Sequence, residues 1–107
     1  MSPRVLTDFE LMLLLAIVRL GDEAYGVPIA NAIEQSTGRP VILASVYNTL
    51  ERLEQKGFVS SSFGEPTAER GGRAKRYFSV TRAGLKEVRA AKKALTVLWR
   101  GIPVHEG

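Results

Sequence analysis

Between Phe58 and Val80 the apolar period of this chain drops from that of a helix to that of a strand, and on either side it is helical. Phe58 to Phe63 alternates loosely, and Tyr77-Phe78-Ser79-Val80 alternates again, as two strands would. The stretch between them, Gly64 to Lys75, is polar and glycine-rich, which suits a hairpin tip. The order expected is therefore helix, helix, helix, hairpin, helix.

The flanking helices carry their own stop and start signals. Thr7-Asp8-Phe9-Glu10 reads as a capping box, in which Thr7 and Glu10 satisfy each other's backbone amides. The helix it opens runs to about Leu20 and is apolar on nearly every side from Leu11 to Val18, which predicts burial all round, by its own domain or by a second subunit. Tyr25-Gly26 opens a second helix, with Pro28 in its first turn, an apolar stripe of Ile29, Ala32 and Ile33, and Gly38 as its stop. Arg39-Pro40 is a turn, and Val41-Ile42-Leu43 is a short β-prone run. A third helix spans about Ala44 to Lys56 and ends at Gly57; Val46, Leu50 and Leu53 form its buried side. Thr81 caps a last helix to about Trp99, where Val88, Ala91, Leu95 and Leu98, continuing to Ile102, follow a 3,4,3,4 seam.

The expected fold is mostly α with a small β-hairpin, an α+β winged helix-turn-helix with a carboxy-terminal dimerisation helix. Residues 1–81 form the winged-helix unit, 82–100 the dimerisation helix and 101–107 a tail, all in one structural unit. At 107 residues the chain suits one domain with no separate catalytic or ligand-binding domain. It has no cysteine, which rules out disulfides, thiolate metal sites and cysteine nucleophiles. Its one histidine, His105, lies in the tail, so no metal site, catalytic residue or cofactor is expected. The run Leu11–Val18 is too short to cross a bilayer and lacks a basic region before it, so the expected location is cytoplasmic, with no membrane partner.

Charge is unevenly spread. From Glu69 to Lys93 there are nine Lys/Arg against two Asp/Glu, a local net of +7, while the rest of the chain carries six basic and nine acidic residues. Concentrated positive charge suits a polyanion, although a solvated basic helix face accounts for part of it. The outer side of the third helix offers Ser45, Asn48 and Thr49, with Arg52 a turn later, Gln55 beyond and Tyr47 on a flank. Asn pairs with adenine, Arg with guanine or phosphate, and Ser and Tyr hydroxyls with phosphate oxygens, so this face suits a DNA major groove. In the hairpin, Arg70, Arg73, Lys75 and Arg76 surround Gly71-Gly72, a cationic loop able to follow the backbone or place an arginine in the minor groove. The seam of the last helix suits a homodimer interface with the surplus apolar surface of the first helix, Leu11, Leu14 and Leu15; the alternative is an intradomain helix that closes the core. In that interface Val88, Ala91, Leu95, Leu98 and Trp99 would pack; Trp99 reads as packing, and the alternative is a pocket between subunits for a flat aromatic effector.

Three ordered motifs resemble the PadR family of transcriptional regulators. Tyr25-Gly26-Val27-Pro28-Ile29 looks like the opening of that family's second helix. Ser45-Val46-Tyr47-Asn48-Thr49-Leu50-Glu51-Arg52-Leu53-Glu54 through Val59 is similar to its recognition helix, and Gly72-Arg73-Ala74-Lys75-Arg76-Tyr77-Phe78-Ser79-Val80-Thr81-Arg82-Ala83-Gly84 to its wing and exit. The resemblance implies a homodimer that binds double-stranded DNA at a pseudo-palindromic operator and represses transcription, sometimes released by a small aromatic ligand. By position it implies DNA contacts from Tyr25, Ser45, Tyr47, Asn48 and Arg52, with Arg73, Lys75 and Arg76 in the wing, and structural roles for Leu53, Gly57 and Tyr77. The chain departs from the family in its short carboxy-terminal region and its longer wing. The competing reading is a winged-helix module that binds protein rather than DNA; it shares the core but gives no reason for a cationic wing beside a polar third helix. An enzyme is not expected, because no carboxylate pair or phosphate loop stands at usable spacing.

Overall fold

The computed structural model describes residues 6–64 and 74–103. Helix α1 spans Asp8–Leu20, and a single 3-10 turn, Gly21–Glu23, leads to α2 at Gly26–Thr37 and α3 at Leu43–Gln55. Strands β1 (Val59–Phe63) and β2 (Arg76–Val80) precede the last helix, α4, at Arg82–Trp99. The expected element order is the one observed.

Local chemistry sets most of these bounds. The capping box forms: the Glu10 amide donates to Thr7 Oγ1 at 3.1 Å, and the Thr7 amide donates to Glu10 Oε1 at 2.9 Å. Gly38 ends α2 in the left-handed conformation, φ 72°, its amide bonding to the Glu34 carbonyl at 2.8 Å. Gly57, φ 80°, ends α3 in the same way and lets the Phe58 amide reach the Leu53 carbonyl at 2.9 Å. Thr81 caps α4 by accepting from the Gly84 amide at 3.1 Å.

The strands form an antiparallel pair in the register Val59↔Val80, Ser61↔Phe78 and Phe63↔Arg76. On the other edge of β2, the Phe78 amide donates to the Ala24 carbonyl at 2.8 Å, tying the hairpin to the entry of α2. The core lies where the three amino-terminal helices meet the hairpin and the first half of α4. Leu13, Leu14, Ile17, Ile29, Val46, Leu50, Leu53, Phe58, Val59 and Phe78 are buried there.

Three expectations change. Val41-Ile42-Leu43 is not extended structure: Val41 and Ile42 are loop and Leu43 already belongs to α3. Such a short apolar run fits either period, and here the loop is fixed by the Val41 amide donating to Glu34 Oε2 at 2.7 Å. In one copy of the chain α1 leaves Leu15 and Val18 about half exposed, which fits the alternative of burial by a second subunit. Leu14, expected at a subunit interface, is fully buried in its own domain. Val88 likewise packs in the core, where α4 crosses the domain, so the seam begins its free run only after it.

Candidate nucleic-acid interface

Helix α3 exposes a polar face because its apolar residues recur at helical spacing on the opposite side. Ser45, Tyr47, Asn48, Glu51 and Arg52 are exposed, whereas Val46, Leu50 and Leu53 are buried. Thr49 departs from expectation: it is buried, one turn from Val46 and in line with Leu53, and cannot reach a base edge. Its hydroxyl instead accepts a hydrogen bond from Arg52 Nη2 at 3.1 Å and so props the arginine side chain.

Ile42 and Leu43, exposed at the amino-terminal end of α3, adjoin this face, an apolar border that a search for hydrogen-bonding residue types does not find. Tyr47 lies against the backbone of Gly26, with its ring edge where a side chain at Gly26 would stand. Tyr25, half-buried just before α2, meets Tyr77 of β2 edge to face at a centroid separation of 5.5 Å. Lys75 sets its ammonium 4.4 Å from the Tyr25 ring centroid and 3.4 Å from its hydroxyl. These contacts hold the root of the wing against the start of α2, beside the exposed face of α3.

The wing cations do not act alike. Arg70 and Arg73 lie outside the described residues. Arg76, expected on DNA, turns inward: Nη1 donates to Glu51 Oε1 at 2.8 Å, Nη2 pairs with Glu54 Oε1, and Nε donates to Ser61 Oγ at 3.2 Å. The hydrogen bond to Glu51, with the charge of both carboxylates behind it, holds the Arg76 proton more tightly than usual despite partial burial. The sequence hid this pairing because Glu51 and Glu54 lie more than twenty residues away and on a different element.

In α4, every residue from Lys92 onward is exposed. Leu95, Leu98 and Trp99 are 59%, 70% and 62% accessible, and Ala91 is intermediate. Leu11 is partly buried against the core, while Leu15 opens into an apolar groove of about 440 Å³ between α1 and α2, shared with Met12, Val18, Ala32 and Ile33. Among the described residues no acidic or histidine cluster could hold a metal ion, and no helix is long and apolar enough to cross a membrane.

Three helices followed by a two-stranded wing, with a polar third helix beside that wing, define a winged-helix DNA-binding fold. The sequence matches the PadR-like family of transcriptional regulators over residues 14–90, most of the chain, and the protein belongs to that family. The fold is similar to a PadR-like transcriptional regulator of Bacillus cereus at a TM-score of 0.70 and 18% identity, covering 84% of this chain and 82% of that one. It is similar also to a transcriptional regulator of Clostridium thermocellum (TM-score 0.69, 23% identity, 83% of each chain). A PadR family regulator of Eggerthella lenta matches at 0.68 and 22% identity, over 87% of this chain and 78% of its own. A comparison with curated proteins returned no match.

Proposed function

We propose that the protein acts as a homodimer that binds a pseudo-palindromic operator and represses transcription from it. The observation that carries this reading is that the molecule exposes two separate surfaces of different chemistry. One is the hydrogen-bonding face of α3 with the wing beside it; the other is the bare apolar half of α4. On this reading the amino-terminal half of α3 enters the major groove, where Asn48 and Arg52 meet base edges and Ser45 and Tyr47 meet phosphates. Lys75, with Arg70 and Arg73 of the wing tip, follows the neighbouring backbone. Two copies joined through α4 present two such helices, and a two-fold protein reads a two-fold site. Repression follows where the operator overlaps a promoter. Trp99 becomes packing between the copies.

Selection of bound duplexes from a random library, sequenced at two salt concentrations, tests the reading. Enrichment of a two-fold symmetric site is expected, with affinity falling steeply as salt rises because phosphate contacts release counterions. Failure to bind any duplex at either salt would move the protein to the class of winged-helix protein-interaction modules.

A further inference from the structure

Arg76 begins β2 opposite Phe63, and its side chain leaves the hairpin to cross onto α3. All three of its guanidinium nitrogens find acceptors within the chain, at Glu51, Glu54 and Ser61. Ser61 closes the circuit by donating to the second oxygen of Glu54 at 2.8 Å. The ring of Phe78 lies beneath the guanidinium at 5.0 Å, a flat support for a flat cation. A fork with this many fixed partners is not poised to leave for a phosphate, since leaving would strip two carboxylates of their counter-charge.

Those carboxylates are on the wrong helix for bare negative charge. Glu51 stands one turn after Asn48 and beside Arg52, and its side chain is more than half exposed. With Arg76 in place the cluster has a net formal charge of −1; without it, −2 would face a polyanion at the rim of the DNA-reading surface.

Resting on the DNA-binding reading above, we propose that Arg76 is a positioning residue that masks Glu51 and Glu54 and clamps the wing to α3, and that it makes no phosphate contact. The function of the residue is then to keep the recognition helix acceptable to DNA. Its neighbour Lys75, just before β2, turns instead to Tyr25.

A double-mutant cycle separates masking from contact. Four chains are compared on the selected duplex across a series of salt concentrations: wild type, Arg76→Ala, Glu51→Gln/Glu54→Gln, and the triple variant. Masking predicts that Arg76→Ala weakens binding about tenfold in the wild-type background and less than about twofold when both glutamates are already neutral. It also predicts that, within the Glu51→Gln/Glu54→Gln background, removing Arg76 leaves the salt slope unchanged. A direct contact predicts equal losses in both backgrounds and a slope reduced by about 0.9 per phosphate given up, and either result overturns the proposal. If Arg76→Ala alone fails to fold, the pair of variants lacking the glutamate charges still decides, because there no carboxylate is left unpaired. A wild-type chain that binds no duplex overturns the DNA-binding reading and this inference with it, an outcome distinct from equal losses in a chain that binds.

Discussion

The phenol of Tyr47, on α3, rests against the backbone of Gly26, on α2, in the space that a methyl group at Gly26 would fill. Gly26 is buried and its backbone is ordinary helix, so the demand for glycine here is one of close approach between the two helices, not of φ.

Gly26→Ala should therefore displace Tyr47 without unfolding the domain. The obstructing atoms are the far end of a side chain that is 39% exposed and free to swing outward, and alanine favours the helix. Stability should change by no more than about 1 kcal/mol, while DNA affinity falls severalfold. In a Tyr47→Ala background the same change should have no further effect on DNA. A loss of stability several times larger would mean that the phenol has nowhere to go.

The buried Glu10 makes stability depend on pH. Burial raises its carboxyl pKa, but hydrogen bonds from Lys56 and the Thr7 amide, with the Lys56 charge, outweigh burial and leave it below its usual 4.5. A lowered folded value means the carboxylate stabilises the fold fully above the unfolded value, and that contribution is lost as pH falls through the folded one. Glu10→Gln should flatten the stability profile between about pH 5 and pH 3 in urea melts. Lys56→Ala should lower stability at neutral pH by about 1–3 kcal/mol, because it strands a buried carboxylate. It should also move the acid transition to higher pH, since burial then dominates. Removing the carboxylate instead leaves Lys56, nearly half exposed, free to meet water. Parallel acid profiles for wild type and Glu10→Gln would exclude this carboxylate as the source.

On the proposed reading, the outer face of α3 allows base reading to be separated from charge. Asn48→Ala should lose affinity for the selected site and little for random duplex, whereas Lys75→Ala should weaken both alike and reduce the salt slope by about 0.9. Thr49→Val tests the prop: it removes the acceptor for Arg52 and leaves the side chain buried. Discrimination between sites should fall while the melting curve moves little. If Asn48→Ala costs the same on both duplexes, the residue does not read bases.

The fold was legible because its punctuation is local. The Thr7–Glu10 box, Gly38, Gly57 and Thr81 each act within a few residues, and each sits where the sequence put an end or a start. The candidate site was legible only in part. Thr49 looked available because it is polar, yet it is three residues from Val46 and four from Leu53, which places it on the core side. Lys75 and Arg76 looked equivalent in a cationic loop. Strand alternation sends neighbours to opposite faces, so Arg76 shares the side of Phe78 and meets α3, while Lys75 meets Tyr25. The identity of the acceptors, Glu51 and Glu54, is a tertiary fact that no local pattern carries.

The dimer reading makes its sharpest demand at Leu95. Val88, first in the 3,4,3,4 seam, is held by its own domain, and the residues that continue the spacing, Leu95, Leu98 and Ile102, are at least half exposed. An isolated apolar stripe of this length is costly to leave in water, and burying it against a second copy, with the open groove beside Leu15, removes that cost. Leu95→Glu should convert the dimer to a monomer in sedimentation, and the monomer should keep its helical circular dichroism, because position 95 contributes nothing to the intradomain core. Trp99 emission should shift to longer wavelength as its ring enters water, and affinity for the symmetric site should collapse towards that of random DNA. Leu14→Glu provides the contrast: that side chain is wholly inside, so the variant should unfold and not merely dissociate. A Leu95→Glu protein of undiminished mass would place the interface elsewhere and leave the exposed half of α4 to another partner.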